Sequence, residues 1–304
     1  MFRDNPFSDA ENYRAVVISY QERRIRKFYR DMYDELKREL RNLDANSNET
    51  DRRYLNDLKS EMNARINQIT LQTDKLVRDG VTTTTERVLE NNRVFLNNIG
   101  FYNYQVNPQL VASMSDFVIS GKLYENKWSL SSAIWGSGKR IQFDINRIVA
   151  RGILEHKSTY EIAKQLEKYV NPDVSRVVQV GTLGEVDYNA QRLARTMVQH
   201  AYQEAFVAAT KDNPFVEAYR WITSGASNVC QLCIQREEED EYGLGEGVYP
   251  KDALPLDHPN GNCTFEIVTA WDEDSAYDAV MEWQFGDLDD EELAEALDKF
   301  AETF

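Results

Sequence analysis

Residues 8–43 read SDAENYRAVVISYQERRIRKFYRDMYDELKRELRNL, and the spacing of their apolar side chains decides the fold class. Tyr13, Val17, Tyr20, Ile25, Phe28, Met32, Leu36, Leu40 and Leu43 fall mostly three or four apart, with Arg and Glu filling the other face. At 3.6 residues per turn that spacing gathers them on one side of a long amphipathic helix. Ser8-Asp9-Ala10-Glu11 is a capping box, which predicts the start at Ser8; the end is expected near Asp44–Asn48. A second stripe of Leu55, Leu58, Met62, Ile66, Ile69 and Leu76 predicts a second helix, with Gly80 placed to terminate it. The two predict an antiparallel hairpin of about 30–35 residues a side, each about 45–50 Å long. Such a length suits spanning a partner assembly better than closing a pocket.

Working outward, Thr85–Ile99 reads as another helix, and Asn107-Pro108 caps one that runs through Ile119. Trp128–Trp135 follows, a bend is expected at Gly136-Ser137-Gly138, and Ile141, Ile145, Ile148 and Leu154 mark a further helix. Ser158-Thr159-Tyr160-Glu161 is a second capping box, opening a helix over Ile162–Val170 that Asn171-Pro172 stops. Residues 177–187 suggest a loop or short hairpin, and Tyr188–Thr210 is a strong helix. After Asn213-Pro214, Val216–Thr223 and Cys263–Trp271 have the β-branched and aromatic content of short strands. The expected fold is therefore mainly α, with a small zinc-stapled β unit (α+β) near the C-terminus. The expected divisions are an extended helical region at 1–135, a helical core at 136–212, the β unit at 213–271 and an acidic helical tail at 272–304.

Residues 237–304 hold 22 of the 51 acids but only two of the 35 bases, Lys251 and Lys299. A polyanion would be repelled by that segment, so any DNA contact falls to the first three quarters. The acidic end reads first as a solvated tail and second as a surface for a basic partner. No apolar run is long enough to span a bilayer, and Met1-Phe2-Arg3-Asp4 opens no signal peptide, so a soluble cytosolic product without membrane partners is expected.

All three cysteines lie between positions 230 and 263. The two-residue gap of Cys230-Gln231-Leu232-Cys233 lets two sulfurs grip one tetrahedral ion, and His258 and Cys263 return to complete a Cys₃His set. These soft and borderline ligands suit Zn²⁺ and leave no open coordination position, so the expected zinc is structural, with no catalytic residue. Free buried thiols or a redox dithiol fit less well, since the βαβ context of the redox motif is missing.

Enzyme signatures fail at particular residues. A zinc deaminase needs His-x-Glu ahead of its cysteine pair, whereas His258 follows the pair and precedes Pro259. Asp257-His258 is similar to the start of an HNH nuclease core, but no later histidine exists. Gly136-Ser137-Gly138-Lys139 lacks the phosphate loop's Ser/Thr, because Arg140 stands there. Gly225-Ala226-Ser227-Asn228-Val229 lacks the last glycine of a nucleophile elbow. His156 and His200 read as ordinary satisfied histidines, and Glu237–Glu241 as a solvated run.

Over residues 140–271 the sequence resembles the minor head proteins of tailed bacteriophages, the phage Mu F-like or head morphogenesis family. The similarity lies in Ile148-Val149-Ala150-Arg151-Gly152-Ile153, Ser158-Thr159-Tyr160-Glu161-Ile162-Ala163, Arg192-Leu193-Ala194-Arg195-Thr196, and Trp221 ahead of the cysteines. The family's closing motif, His-Pro-x-Cys-Arg-Cys, stands as His258-Pro259-Asn260-Gly261-Asn262-Cys263, with Gly261 and Asn262 as departures. The zinc role carries over only to Cys230, Cys233, His258 and Cys263. The resemblance implies a non-enzymatic virion protein inside the head, made in the host cytoplasm and present in several copies. Its implied partners are the portal protein and the major capsid protein, with at most weak or indirect DNA contact and a part in packaging or ejection. A virion-carried zinc-dependent hydrolase or nuclease effector is the alternative. Because the motifs lie downstream of residue 140, that part is expected to fold without residues 1–80, which are expected to dock on the portal or capsid.

Overall fold

In a computed structural model of the protein, residues 5–179, 182–227 and 229–303 are described. The reading of Met1–Asp4, the turn at Val180-Gly181 and Asn228 of the failed nucleophile elbow lie outside these residues.

The fold is mainly α with a small antiparallel sheet near the C-terminus, as the periodicity predicts. In chain order come α1 (Ser8–Leu40), α2 (Arg52–Asn98), α3 (Pro108–Ile119), α4 (Leu130–Leu154), α5 (Thr159–Val170), β1 (Arg176–Gln179), β2 (Thr182–Gly184) and α6 (Tyr188–Thr210). Then follow β3 (Ala218–Ile222), α7 (Gln231–Glu238), β4 (Val248–Pro250), β5 (Thr264–Val268), α8 (Glu273–Phe285) and α9 (Glu291–Ala301). Among the described residues, no helix is long and apolar enough to cross a membrane.

The chain divides into two compact units that cut across the expected boundaries. The hairpin unit comprises Ile18–Asp79 and Ile119–Arg195. Within it α1 and α2 run antiparallel: Gln21 Nε2 donates to the Leu76 carbonyl at 2.8 Å, and Arg65 pairs with Glu35 at 2.7 Å farther along. Ile25, Met32, Leu36, Leu58, Met62 and Ile66 are buried along the seam. The bend expected at Gly136–Gly138 is absent, because α4 runs straight through it. Gly138 is there for closeness: a Cβ would lie 2.5 Å from Thr70 Oγ1. The capping box at Ser158 forms as read, with Ser158 Oγ accepting from Glu161 N–H and Glu161 from Ser158 N–H. β1 and β2 pair antiparallel as the expected short hairpin. His156 is the left-handed residue that closes α4, with φ 54°, and Lys157 N–H donates to Gly152 O behind it.

The sheet unit comprises Met1–Val17, Gly80–Val118 and Thr196–Phe304. Its sheet has the order β4-β3-β5, all antiparallel, with Trp221 opposite Phe265 and Tyr219 opposite both Tyr249 and Ile267. The core gathers Phe7, Tyr202, Phe206, Tyr219, Trp221 and Phe265, all at most 1% exposed. Phe7 meets Phe206 edge-on with centroids 4.9 Å apart. Residues 1–80 therefore supply part of this core, which corrects the expectation that the downstream part folds alone.

Three further expectations change. α1 starts at Ser8 as expected, but the capping side chain lies three residues ahead, where Asn5 Oδ1 accepts from Phe7 N–H, so Ser8 is the first helical residue rather than the cap. Gly80 does not stop α2, which continues to Asn98 and absorbs the separate helix expected at Thr85. Val77, Val81 and Val88 are fully buried on either side of it. A helical glycine costs only about 1 kcal/mol against alanine, less than burying those valines returns. The acidic end is a pair of packed helices: Ala276, Val280, Leu297 and Phe300 join the core, and Phe300 meets Phe101 at 5.5 Å.

Candidate metal centre

The segment between β3 and β5, read from sequence as a loop, contains α7 and β4. Cys230 is the N-cap of α7, and its sulfur accepts from Cys233 N–H at 3.4 Å. A helix start places residues three apart on one side, so this cap turns both sulfurs the same way. The segment between β4 and β5 brings His258-Pro259-Asn260-Gly261 through a tight turn closed by Gly261 N–H on His258 O at 2.8 Å. Asn260 sits there at φ 71°, and Pro259 before it fits the type II signature. Cys263 then leads directly into β5.

The ligand atoms of Cys230, Cys233 and His258 all lie within 4.8 Å of one another, and so do those of Cys233, Asp257 and Cys263. Cys233 belongs to both groups, which joins the four expected residues into one cluster that could hold a metal ion. A tetrahedral zinc with bonds near 2.3 Å separates its sulfurs by roughly 3.8 Å, so the cluster is of the right size.

The donor chemistry fits as well. His258 Nδ1 faces the Pro259 carbonyl at 3.0 Å, an acceptor only, so this nitrogen carries the proton and Nε2 keeps its lone pair. That Nε2 lies 3.1 Å from the Cys230 sulfur. Cys233 and Cys263 are buried, whereas Cys230 is exposed. Burial pushes the Cys233 thiol well up, with Cys263 adding to it. Burial takes Cys263 up to about 11, with Asp257 adding and the Trp221 indole countering. The Trp221 Nε1 is buried without an oxygen or nitrogen partner, beside a sulfur that would become a thiolate acceptor on ligation. For Cys230, burial pulls upward, but the Cys233 N–H and the His258 ring outweigh it and hold the thiol below its ordinary value.

Asp257 was not read as a site residue. Although its oxygens lie near Cys233 and Cys263, both are engaged: Oδ1 accepts from His258 N–H at 2.8 Å, and Oδ2 from Gln199 Nε2 at 2.9 Å and Cys263 N–H at 3.2 Å. It therefore anchors the peptide around the ligands. It also explains Gly261, because a Cβ there would fall 2.2 Å from both carboxylate oxygens. A cysteine at that position cannot coexist with Asp257 as placed.

Four polar side chains of α6 complete the cradle. Thr196 Oγ1 accepts from Asn260 N–H, and Gln199 Nε2 also donates to Cys263 O. His200 Nε2 bonds the Asp257 carbonyl, and Gln203 spans Pro255 O and Asp257 N–H. His200 is thus a loop support and no ligand, and burial lowers its pKa. The sequence signal was available: Thr196, Gln199, His200 and Gln203 recur at helical spacing beside the apolar stripe of Met197, Ala201 and Ala205. From α1, Arg14 Nη1 reaches Gln199 Oε1 and the Cys263 carbonyl, the latter at 2.7 Å.

No protein family model matches this chain, and no curated protein or solved structure compared with it matches either.

Proposed function

We propose that Cys230, Cys233, His258 and Cys263 bind one zinc ion as a structural staple, in a minor head protein of a tailed bacteriophage that acts beside the portal or capsid shell. The observation that carries the zinc reading is the closed donor set. Three sulfurs and one imidazole come from two short segments, with the His258 N–H and the Cys263 carbonyl bonded to protein. A catalytic zinc keeps a position for water or substrate, and a Cys₃His set leaves none, which weighs against the hydrolase or nuclease alternative.

The virion role rests on the motifs between residues 140 and 271, together with the outward face of α4. Trp135, Phe143 and Leu154 are exposed on that helix, and Trp128 just before it, with Arg147 over the Phe143 ring at 5.9 Å. Large exposed apolar groups rimmed by charge mark partner surfaces. Docking by this face replaces the N-terminal helices as the stronger reading, since part of α1 belongs to the core of the sheet unit.

Two measurements test the proposal. Elemental analysis of purified chain should give about one zinc per molecule, and folded chain without metal would end the staple reading. Trp135→Ser with Phe143→Ser should leave folding and zinc intact yet deplete the protein from purified heads; normal incorporation would remove α4 as the docking face.

A further inference from the structure

Arg14 is 3% exposed, a charged group at a position where charge is costly unless it is paired. Its Nη1 donates to two acceptors of the ligand cradle, Gln199 Oε1 and the Cys263 carbonyl, and its guanidinium lies over the Tyr202 ring at 4.8 Å. Its Nε is buried without a partner. Gln199 in turn holds Asp257 Oδ2 and the same Cys263 carbonyl. One buried cation on the first helix thus shares its acceptors with a metal ligand.

Three thiolates around a divalent ion leave one net negative charge, and Asp257 adds a second. Arg14 faces both, and they add to the Tyr202 ring and Glu11, which also offset the desolvation of its charge. When the ion leaves, the backbone at Cys263 loses the cross-link that fixes it, and with it the placement of the carbonyl to which Arg14 Nη1 donates. Around Arg14, residues 5–17 are held by Phe7 and Ala10 in the core and by Asp9 with Arg87 at 2.9 Å.

Resting on the zinc reading above, we propose that Arg14 is a positioning residue that couples metal retention to docking of the first turns of α1, so that metal loss releases residues 5–17 from the sheet unit. The N-terminal segment is then a metal-dependent clasp on the ligand loop. Its release would free the start of a helix while the hairpin seam from Ile18 onward stays closed.

The test uses the full chain loaded with Zn²⁺, or with Co²⁺ as a spectroscopic probe. Hydrogen exchange of peptides covering 8–17 should speed up at least about tenfold on chelation, while peptides covering 55–76 stay unchanged. Arg14→Gln should keep the tetrahedral Co²⁺ absorption bands but surrender the ion to a chelator about 10–100-fold faster, with Arg14→Lys in between. Unchanged exchange at 8–17 after the ion has gone, or wild-type release from Arg14→Gln, would overturn the coupling. The exchange measurement needs no substitution, so a variant that fails to fold does not shield the proposal. Wild-type chain that takes up neither ion overturns the zinc reading itself, whereas chain that holds the ion without the coupling overturns this inference alone.

Discussion

Between Met32 and Leu36 on one helix and Leu58 and Met62 on the other, the hairpin is held by apolar contacts that repeat every turn, each buried to within 6% of full burial. Between Pro255 and Cys263 the chain has no regular structure, and its backbone is held by Thr196, Gln199, His200, Gln203 and Asp257. A helix satisfies its own backbone, so its neighbours need supply only apolar surface. A ligand loop cannot, and each exposed peptide group needs a donor or acceptor brought from elsewhere. Removing one seam contact should therefore cost a graded amount. Removing one support of the loop should disturb several groups together.

The largest contrast is expected from the metal itself. Cys233→Ser, or chelation of wild-type chain, should collapse the near-ultraviolet circular dichroism of the Tyr202, Trp221 and Phe265 cluster, since structural zinc contributes folding energy on the order of 10 kcal/mol. The helical signal of the hairpin unit should persist. Loss of both signals in one transition would show that the two regions are not separable in stability. Loading should also weaken as pH falls, because the ion displaces thiol protons, and the Cys263 thiol, raised to about 11 by burial, holds its proton throughout the neutral range. Uptake independent of pH between 6 and 8 would contradict thiolate ligation. Gly261→Ala comes next: its Cβ would collide with Asp257, so affinity should drop about 10–100-fold without loss of the four ligands.

Legibility in the sequence follows the same divide. α3 and α6 were readable to the residue, and α5 at its C-terminal end with its start three residues earlier than expected; Asn107-Pro108, Ser158 with Glu161, and Asn171-Pro172 are the local signals for α3 and α5. The cluster of Cys230, Cys233, His258 and Cys263 was readable because the two-residue gap and the later return of His258 and Cys263 are visible in the sequence. Gly138 misled because a glycine that bends a helix looks the same in sequence as one that admits a neighbour, here Thr70, and Gly80 because its small helical cost is outweighed by the burial of Val77, Val81 and Val88. α7 and β4 were missed because eight and three residues of weak local propensity form only against partners, as where Thr223 N–H and hydroxyl both bond the Glu237 carboxylate. The polar stripe of α6 is visible at helical spacing, but nothing local reveals that Gln199 and Gln203 face a buried loop rather than water. The acidic end read as solvated because charge outnumbers its apolar positions, although Leu297 is fully buried.

Within the hairpin, Met62→Ala should lower the stability of that unit by about 2 kcal/mol, the low end for such truncations. Met62 borders a groove of 340 Å³ shared with Met32, Leu36 and Leu58, and a solvated groove limits the cavity term. Metal affinity should not move. A change in metal release would show that the seam and the ligand loop are energetically linked.

The smallest effect is expected at the rim of that groove, where Arg65 pairs with Glu35 at 2.7 Å and also donates to Gln68 Oε1. The side chains are 31% and 49% exposed, so water and salt screen the pair and holding two long side chains offsets much of the attraction. Arg65→Ala should therefore cost no more than about 1 kcal/mol in low salt. Most of that loss should vanish in 0.5 M salt, where the screening length falls to roughly 4 Å. A salt-independent loss would mean that the Arg65 stem contributes by covering Leu58 and Met62 rather than through its charge, and Arg65→Met would then restore it. A loss above about 2 kcal/mol, comparable with Met62→Ala, would contradict the premise that this seam is held by its apolar stripe.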